Sequence, residues 1–192
     1  MTDIEVAAAD AVLKRHGIRY VVVGGQAVAR TAATTTHDVD VMVTTDDFAK
    51  SVASLRTEKE VAADWAEANL ARFRILSAGG VPLDLLDATI FAGTKTGQEF
   101  FEFLLEGASK DDHGILYATP EAVWYTRLLT KRWKAYAEKI ITNVIDGITA
   151  DRLREVEKIA ARFGTESIVA TRLAYVRDEL ARPDIRSLIR SS

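Results

Sequence analysis

The sequence predicts an α/β (α+β) protein, a mixed sheet flanked by helices in residues 1–118, followed by a helical region in residues 119–192. Three observations carry that reading. Short β-branched runs alternate with helix-period segments as far as Tyr117, the pattern of a layered α/β unit. Beyond Thr119-Pro120 the helical period takes over almost throughout. The charge changes sign at the same place: residues 1–118 hold 11 basic and 18 acidic side chains, and residues 119–192 hold 14 basic and 10 acidic.

Each element has its own signal. Ile4, Ala8, Ala11 and Val12 recur at helical spacing, and Gly17 stops that helix near His16. Arg19 to Val23 is short and β-branched, a buried strand. Gly24-Gly25 breaks it, and a helix is expected over Gln26 to Ala33. After the Thr34-Thr35-Thr36 turn, Asp38 to Val43 is a second strand, and Thr45-Asp46-Asp47 caps a helix over Phe48 to Leu55. Phe73 to Leu76, then Ser77 to Gly80, then Val81 to Leu86 predicts a hairpin. Gln98 to Leu105 is a short helix and Ile115 to Tyr117 a last strand.

In the tail, Thr119-Pro120-Glu121 places a capping hydroxyl before a proline at the first helical position, where its missing N–H costs nothing. One long helix is expected from there toward Asp146. A second runs from about Asp151 to Phe163, with Gly164 at its end. Thr165 caps a third, which Pro183 terminates.

Composition removes several chemistries. The chain has 192 residues, 48% hydrophobic and 28% charged, the make-up of a globular protein with room for a core. It has no cysteine, which excludes disulfides, thiolate catalysis and Cys-ligated metals. His16, His37 and His113 fit no zinc spacing. The net charge of −3 does not imply non-specific nucleic-acid binding by the whole protein. With no apolar run approaching a bilayer span and an acidic MTDIE start unlike a signal peptide, a soluble cytoplasmic protein with no membrane partner is expected.

Three features of the head belong together. Gly24-Gly25 sits between strand and helix, where unpaired N–H groups and the absence of Cβ atoms let an anion approach the backbone. Alone it is a tight turn, and it lacks the lysine of a P-loop and the glycine spacing of a dinucleotide fingerprint. Asp38-Val39-Asp40 lies on a strand, so both carboxylates share one face while Val39, Val41 and Val43 share the other. Two like charges roughly 7 Å apart along a strand repel each other. A divalent cation between them relieves that, since hard cations take carboxylate oxygens. Asp84 stands between Leu83 and Leu85, an acid in an apolar strand that is costly unless paired or metal-bound. Asp87 falls on the opposite pleat and is taken as a turn or capping residue, with the choice of Asp84 or Asp87 as third acid left open.

In order and spacing, Val21-Val22-Val23-Gly24-Gly25, then Asp38-Val39-Asp40, then Leu83-Asp84-Leu85 resembles the nucleotidyltransferase superfamily related to DNA polymerase β. Gly-Gly-x-Ala, with Thr36 two positions before Asp38, looks most like its bacterial minimal or AbiEii-like members. Many of those carry Arg four positions before the Asp, where this chain has Thr34, so that role is lost or passes to Arg30. The resemblance covers roughly residues 18–90. It implies a nucleotidyltransferase-like head that transfers NMP from a nucleoside triphosphate to a hydroxyl with Mg2+ or Mn2+. Asp38, Asp40 and Asp84 would hold metal, Asp84 would serve the acceptor hydroxyl, and Gly24 and Gly25 would hold phosphates. Acceptors in such relatives include tRNA ends, protein side chains and small molecules, and some relatives pair as toxin and antitoxin, so a cognate partner is among the expectations.

A triphosphate needs cations that the acidic head does not supply. On one continuous helix Arg127, Lys131 and Lys134 share a face, which would close over the phosphates or guide a polyanionic acceptor such as RNA. The alternative is a solvated basic stripe. Trp124, Trp133 and Tyr136 are expected in the core. His37 is read as structural, and Lys95 as a loop cation within reach of a phosphate. The rival to an enzyme is an inactive nucleotide-binding or protein-interaction module of the same fold. Loss of an acid would favour it, and none is missing.

Overall fold

A computed structural model describes residues 2–31, 36, 38–57, 63–67, 70–76, 82–88, 97–145 and 151–184. Thr34, Thr35, His37, Lys95, Asp146 and the expected hairpin turn at 77–80 lie outside the described residues.

A seven-stranded mixed sheet runs β3 (Ala63–Glu67), β4 (Leu70–Leu76), β5 (Pro82–Asp87), β2 (Val39–Val43), β1 (Val21–Val23), β7 (Leu116–Tyr117), β6 (Ser109–Lys110). β2 pairs parallel with β5 and antiparallel with β1, and β1 pairs parallel with β7. The central strands are near-continuous apolar runs because both faces are covered: Val21, Val22, Val39, Val41 and Val43 are all fully buried. Helices α1 (Thr2–Arg15), α2 (Gly24–Ala29), α3 (Thr45–Leu55) and α4 (Gly97–Gly107) flank the sheet. The expected hairpin is present as antiparallel β4 and β5, with Arg74 opposite Asp84 in register. The antiparallel partner strand β3 and the two-residue β6 were not anticipated.

Two caps differ from expectation by one position or by role. The N-cap of α3 is Thr44, whose hydroxyl accepts from Asp47 N–H at 3.1 Å, so Thr45 is already helical. Thr119 caps as expected, accepting from Ala122 N–H at 3.3 Å. Thr165 occupies an N-cap position without capping: its hydroxyl lies 3.1 Å from the Tyr125 hydroxyl, an interior partner that outcompetes the local one.

The largest correction lies in the tail. The single helix expected toward Asp146 is two, α5 (Pro120–Leu129) and α6 (Trp133–Ile145), broken at Thr130–Arg132. α7 (Arg152–Arg162) and α8 (Glu166–Ala181) follow, and Arg182 turns extended before Pro183. At the break Arg172 of α8 donates through one guanidinium nitrogen to the carbonyls of Leu128 and Thr130, and its charge lies 5.4 Å from the Trp133 ring. Those are carbonyls a continuous helix would have used itself. An aromatic cluster joins tail to head: Phe100 and Phe103 of α4 meet Phe163 edge-on at 5.2 and 5.5 Å, and Tyr125 of α5 stands 5.8 Å from Phe100. Among the described residues no helix is long and apolar enough to cross a membrane.

Candidate active site

The acids converge because of register. Parallel pairing sets Asp40 beside Asp84, while Val23, the residue before Gly24, is Asp40's partner on the other side. Asp38 enters from the bend just before β2. One carboxylate oxygen from each of Asp38, Asp40 and Asp84 lies within 4.8 Å of the others, with Asp84 fully buried and the other two half-buried. Asp87 stays apart. It ends β5 and accepts from the Thr45 hydroxyl at 2.8 Å, so it ties the sheet to the first turn of α3.

Gly24 sits at the strand-to-helix junction with φ +65°, a conformation other residues rarely adopt. A Cβ there would lie 2.0 Å from Asp40 Oδ2, far closer than two such atoms can approach. A Cβ on Gly25 would lie 2.7 Å from Thr36 Oγ1. That hydroxyl lies 3.1 Å from Asp38 Oδ1, to which it donates, and 3.3 Å from the Asp38 carbonyl oxygen. The buried Gln26 amide lies 3.5 Å from the same carbonyl. The two glycines therefore make room for the carboxylates as well as exposing backbone. α2 is six residues long and its N-cap residue, Val23, has no side-chain oxygen to bond the first-turn N–H groups, so backbone donors rather than a long helix dipole are what the junction offers.

A cleft of about 360 Å³ opens over this point, lined on the head side by Gly24, Gly25, Thr36, Asp38 and Asp40. The tail forms its other wall through Thr126, Arg127 and Thr130 of α5 and the break, and Tyr136, Lys139, Thr142 and Asn143 of α6. Burial pushes the Arg127 guanidinium below its ordinary value, and the charges of Asp40 and Asp38 act against that shift. It also lies 5.6 Å from the Tyr136 ring, which carries Lys139 at 5.8 Å.

Of the three expected cations, the structure brings Arg127 to the acids. Lys131 falls in the break and Lys134 at the exposed start of α6, where it lies 5.8 Å from the Trp133 ring, and neither lines the cleft. The shared helical face does not exist, because the break between α5 and α6 resets the helical phase. Lys139 lines the cleft instead. The signal that would have found it is the one that would have found the break. Tyr136, expected in the core, is half-buried in the cleft, whereas Trp124 is in the core. Arg30 stacks 5.0 Å from the Tyr117 ring and is not among the cleft residues.

Such an arrangement can do one thing well: hold hard divalent cations on oxygen ligands next to a small anion. The donor set is carboxylate only, which suits Mg2+ or Mn2+ over softer metals. Three carboxylate charges this close repel one another, and a cation among them relieves that repulsion. The residues present fit the metal. No protein-family model matches the chain, and no curated protein matches it. Among solved structures it is similar to an antigenic nucleotidyltransferase-like protein from Paracoccidioides brasiliensis, with 18% identity, 97% of this chain and 89% of that one covered, and a TM-score of 0.40.

Proposed function

We propose that the protein is a metal-dependent nucleotidyltransferase of the minimal or AbiEii-like kind, which moves NMP from a nucleoside triphosphate to a hydroxyl acceptor. The observation that carries this is the three-acid cluster of Asp38, Asp40 and the buried Asp84, set against Gly24, with Asp38 and Asp40 facing Arg127 across one cleft. Asp38, Asp40 and Asp84 would hold Mg2+ or Mn2+, and when bound the ions supply charge neutralisation of the triphosphate and a lower pKa for the acceptor hydroxyl. Backbone N–H groups at Gly24 and Gly25 bind the outer phosphates, and Arg127 and Lys139 balance their charge from the opposite wall. Asp84, buried beneath the cleft, would serve the acceptor hydroxyl by helping to hold the ion, and the hydroxyl proton leaves to solvent. The acceptor oxygen then bonds to the α-phosphorus as the bond to the bridging oxygen breaks, and pyrophosphate leaves with that electron pair.

Lys131, Arg132 and Lys134 lie outside the cleft lining, on exposed surface of the tail. They suit a polyanionic acceptor, and an RNA or tRNA end ranks ahead of a protein side chain or small molecule on that ground. A triphosphate substrate sets the reaction in the cytoplasm, and a toxin or antitoxin partner belongs to the same reading. The test is transfer of α-labelled NTP, with Mg2+, to bulk tRNA and to candidate protein acceptors. Label appears with wild type and is lost in Asp38→Ala and Asp40→Ala. Equal labelling by the variants dismisses the proposal.

A further inference from the structure

Asn143 lines the cleft, is 5% exposed, and its Oδ1 has no hydrogen-bond partner among the described residues. A buried amide oxygen in that state is unfavourable, and natural structures hold few of them without a reason. Its neighbours are biased in the same sense. The hydroxyls of Thr126, Thr130 and Thr142, which line the same cleft, donate their protons to the carbonyls of Val123, Arg127 and Glu138 at 2.8, 2.9 and 3.0 Å. What these side chains have left for a ligand is lone pairs. This part of the wall therefore asks for N–H or O–H donors.

We infer that Asn143 is a specificity residue that accepts a hydrogen bond from the nucleoside part of the triphosphate. This rests on the nucleotidyltransferase reading. Asn143 lies on the same face of α6 as Lys139, one turn or roughly 6 Å farther along the axis. With the outer phosphates between Gly24–Gly25 and Lys139, the nucleoside extends farther along the same cleft, where Asn143 stands. A cavity of about 360 Å³ is at the small end of ligand sites, a size suited to one nucleotide. The donor is a base amine or a ribose hydroxyl.

Calorimetric binding to the full chain with Mg2+ and no acceptor tests this, using ATP, purine riboside triphosphate (no amine), and 2′-deoxy- and 3′-deoxy-ATP. Wild type binds ATP about tenfold more tightly than the analogue lacking the relevant donor. Asn143→Leu binds ATP about tenfold more weakly, no longer separates it from that analogue, and melts no lower than wild type because it removes an unsatisfied polar group. Discrimination against purine riboside triphosphate assigns the base amine to Asn143, and discrimination against a deoxy analogue assigns the ribose. Equal affinity of wild type for all four triphosphates overturns the inference and leaves the enzyme reading standing, and so does discrimination that persists in Asn143→Leu. Binding of none of them, nor of GTP, CTP or UTP offered in the same way, sinks the nucleotidyltransferase reading and the inference with it. Asn143→Ala, which removes the same oxygen with less bulk, replaces Asn143→Leu in the comparison if that variant does not fold.

Discussion

The two walls of the cleft hold their groups in place by opposite means. The head wall is local and tight: Gly24, Thr36, Asp38 and Asp40 lie within seventeen residues of chain, and an oxygen of Asp40 occupies the space a Cβ on Gly24 would need. The tail wall is assembled at long range, with Arg127 and Lys139 on separate helices and the break between them bound by Arg172 of α8. The acids are thus positioned by strand register and close contact, the cations by tertiary packing. Changes in the head should act on the chemistry at once, and changes in the tail should act through the angle at the break.

The largest effect is expected from Gly24→Ala, which adds strain at φ +65° to a collision with Asp40. It should cost about 3 kcal/mol of stability and on the order of a hundredfold in label transfer, read by urea melts and the transfer assay. Gly17 has nearly the same φ, +64°, with nothing within 4 Å of its Cβ position. Gly17→Ala should therefore cost only about 1 kcal/mol and leave transfer unchanged. Equal losses in the two would show that the contact with Asp40 is immaterial.

Arg172→Met strips the break of its donor and should destabilise by about 2 kcal/mol while raising the ATP Kd severalfold. A lower Tm at unchanged Kd would separate the break from the cleft. Thr36→Val removes the hydroxyl beside Asp38 and should lower stability by about 1 kcal/mol, with the Mg2+ requirement for transfer shifting upward. Lys139→Gln should give the smallest change, a few-fold weaker ATP binding that disappears in high salt and exceeds that of Lys134→Gln.

These expectations also mark what the sequence makes legible. Period-two alternation put Asp38 and Asp40 on one face and an apolar setting singled out Asp84, because strand side chains obey a parity that needs no knowledge of the rest of the chain. The separation of Asp87 followed from the same parity. The break at Thr130–Arg132 carries neither glycine nor proline, and its stabilising partner Arg172 comes from another helix, so no local pattern could reveal it. The break also resets the helical phase of every cation after it, so Lys139 lines the cleft and Lys131 and Lys134 do not. The role of Thr165 is hidden from its local sequence for the same reason: its hydroxyl meets that of Tyr125, forty residues away.

The contact between Gly24 and Asp40 ties the identities of the two positions together. Because the carboxylate already fills the volume where a methyl would stand, an acid one methylene longer has no slack to fold into. Asp40→Glu preserves charge and donor type yet must push its oxygens either onto the backbone of the neighbouring strand end or away from Asp84. A swap that chemistry would rate as mild is, at this place, a change of length in a fitted joint.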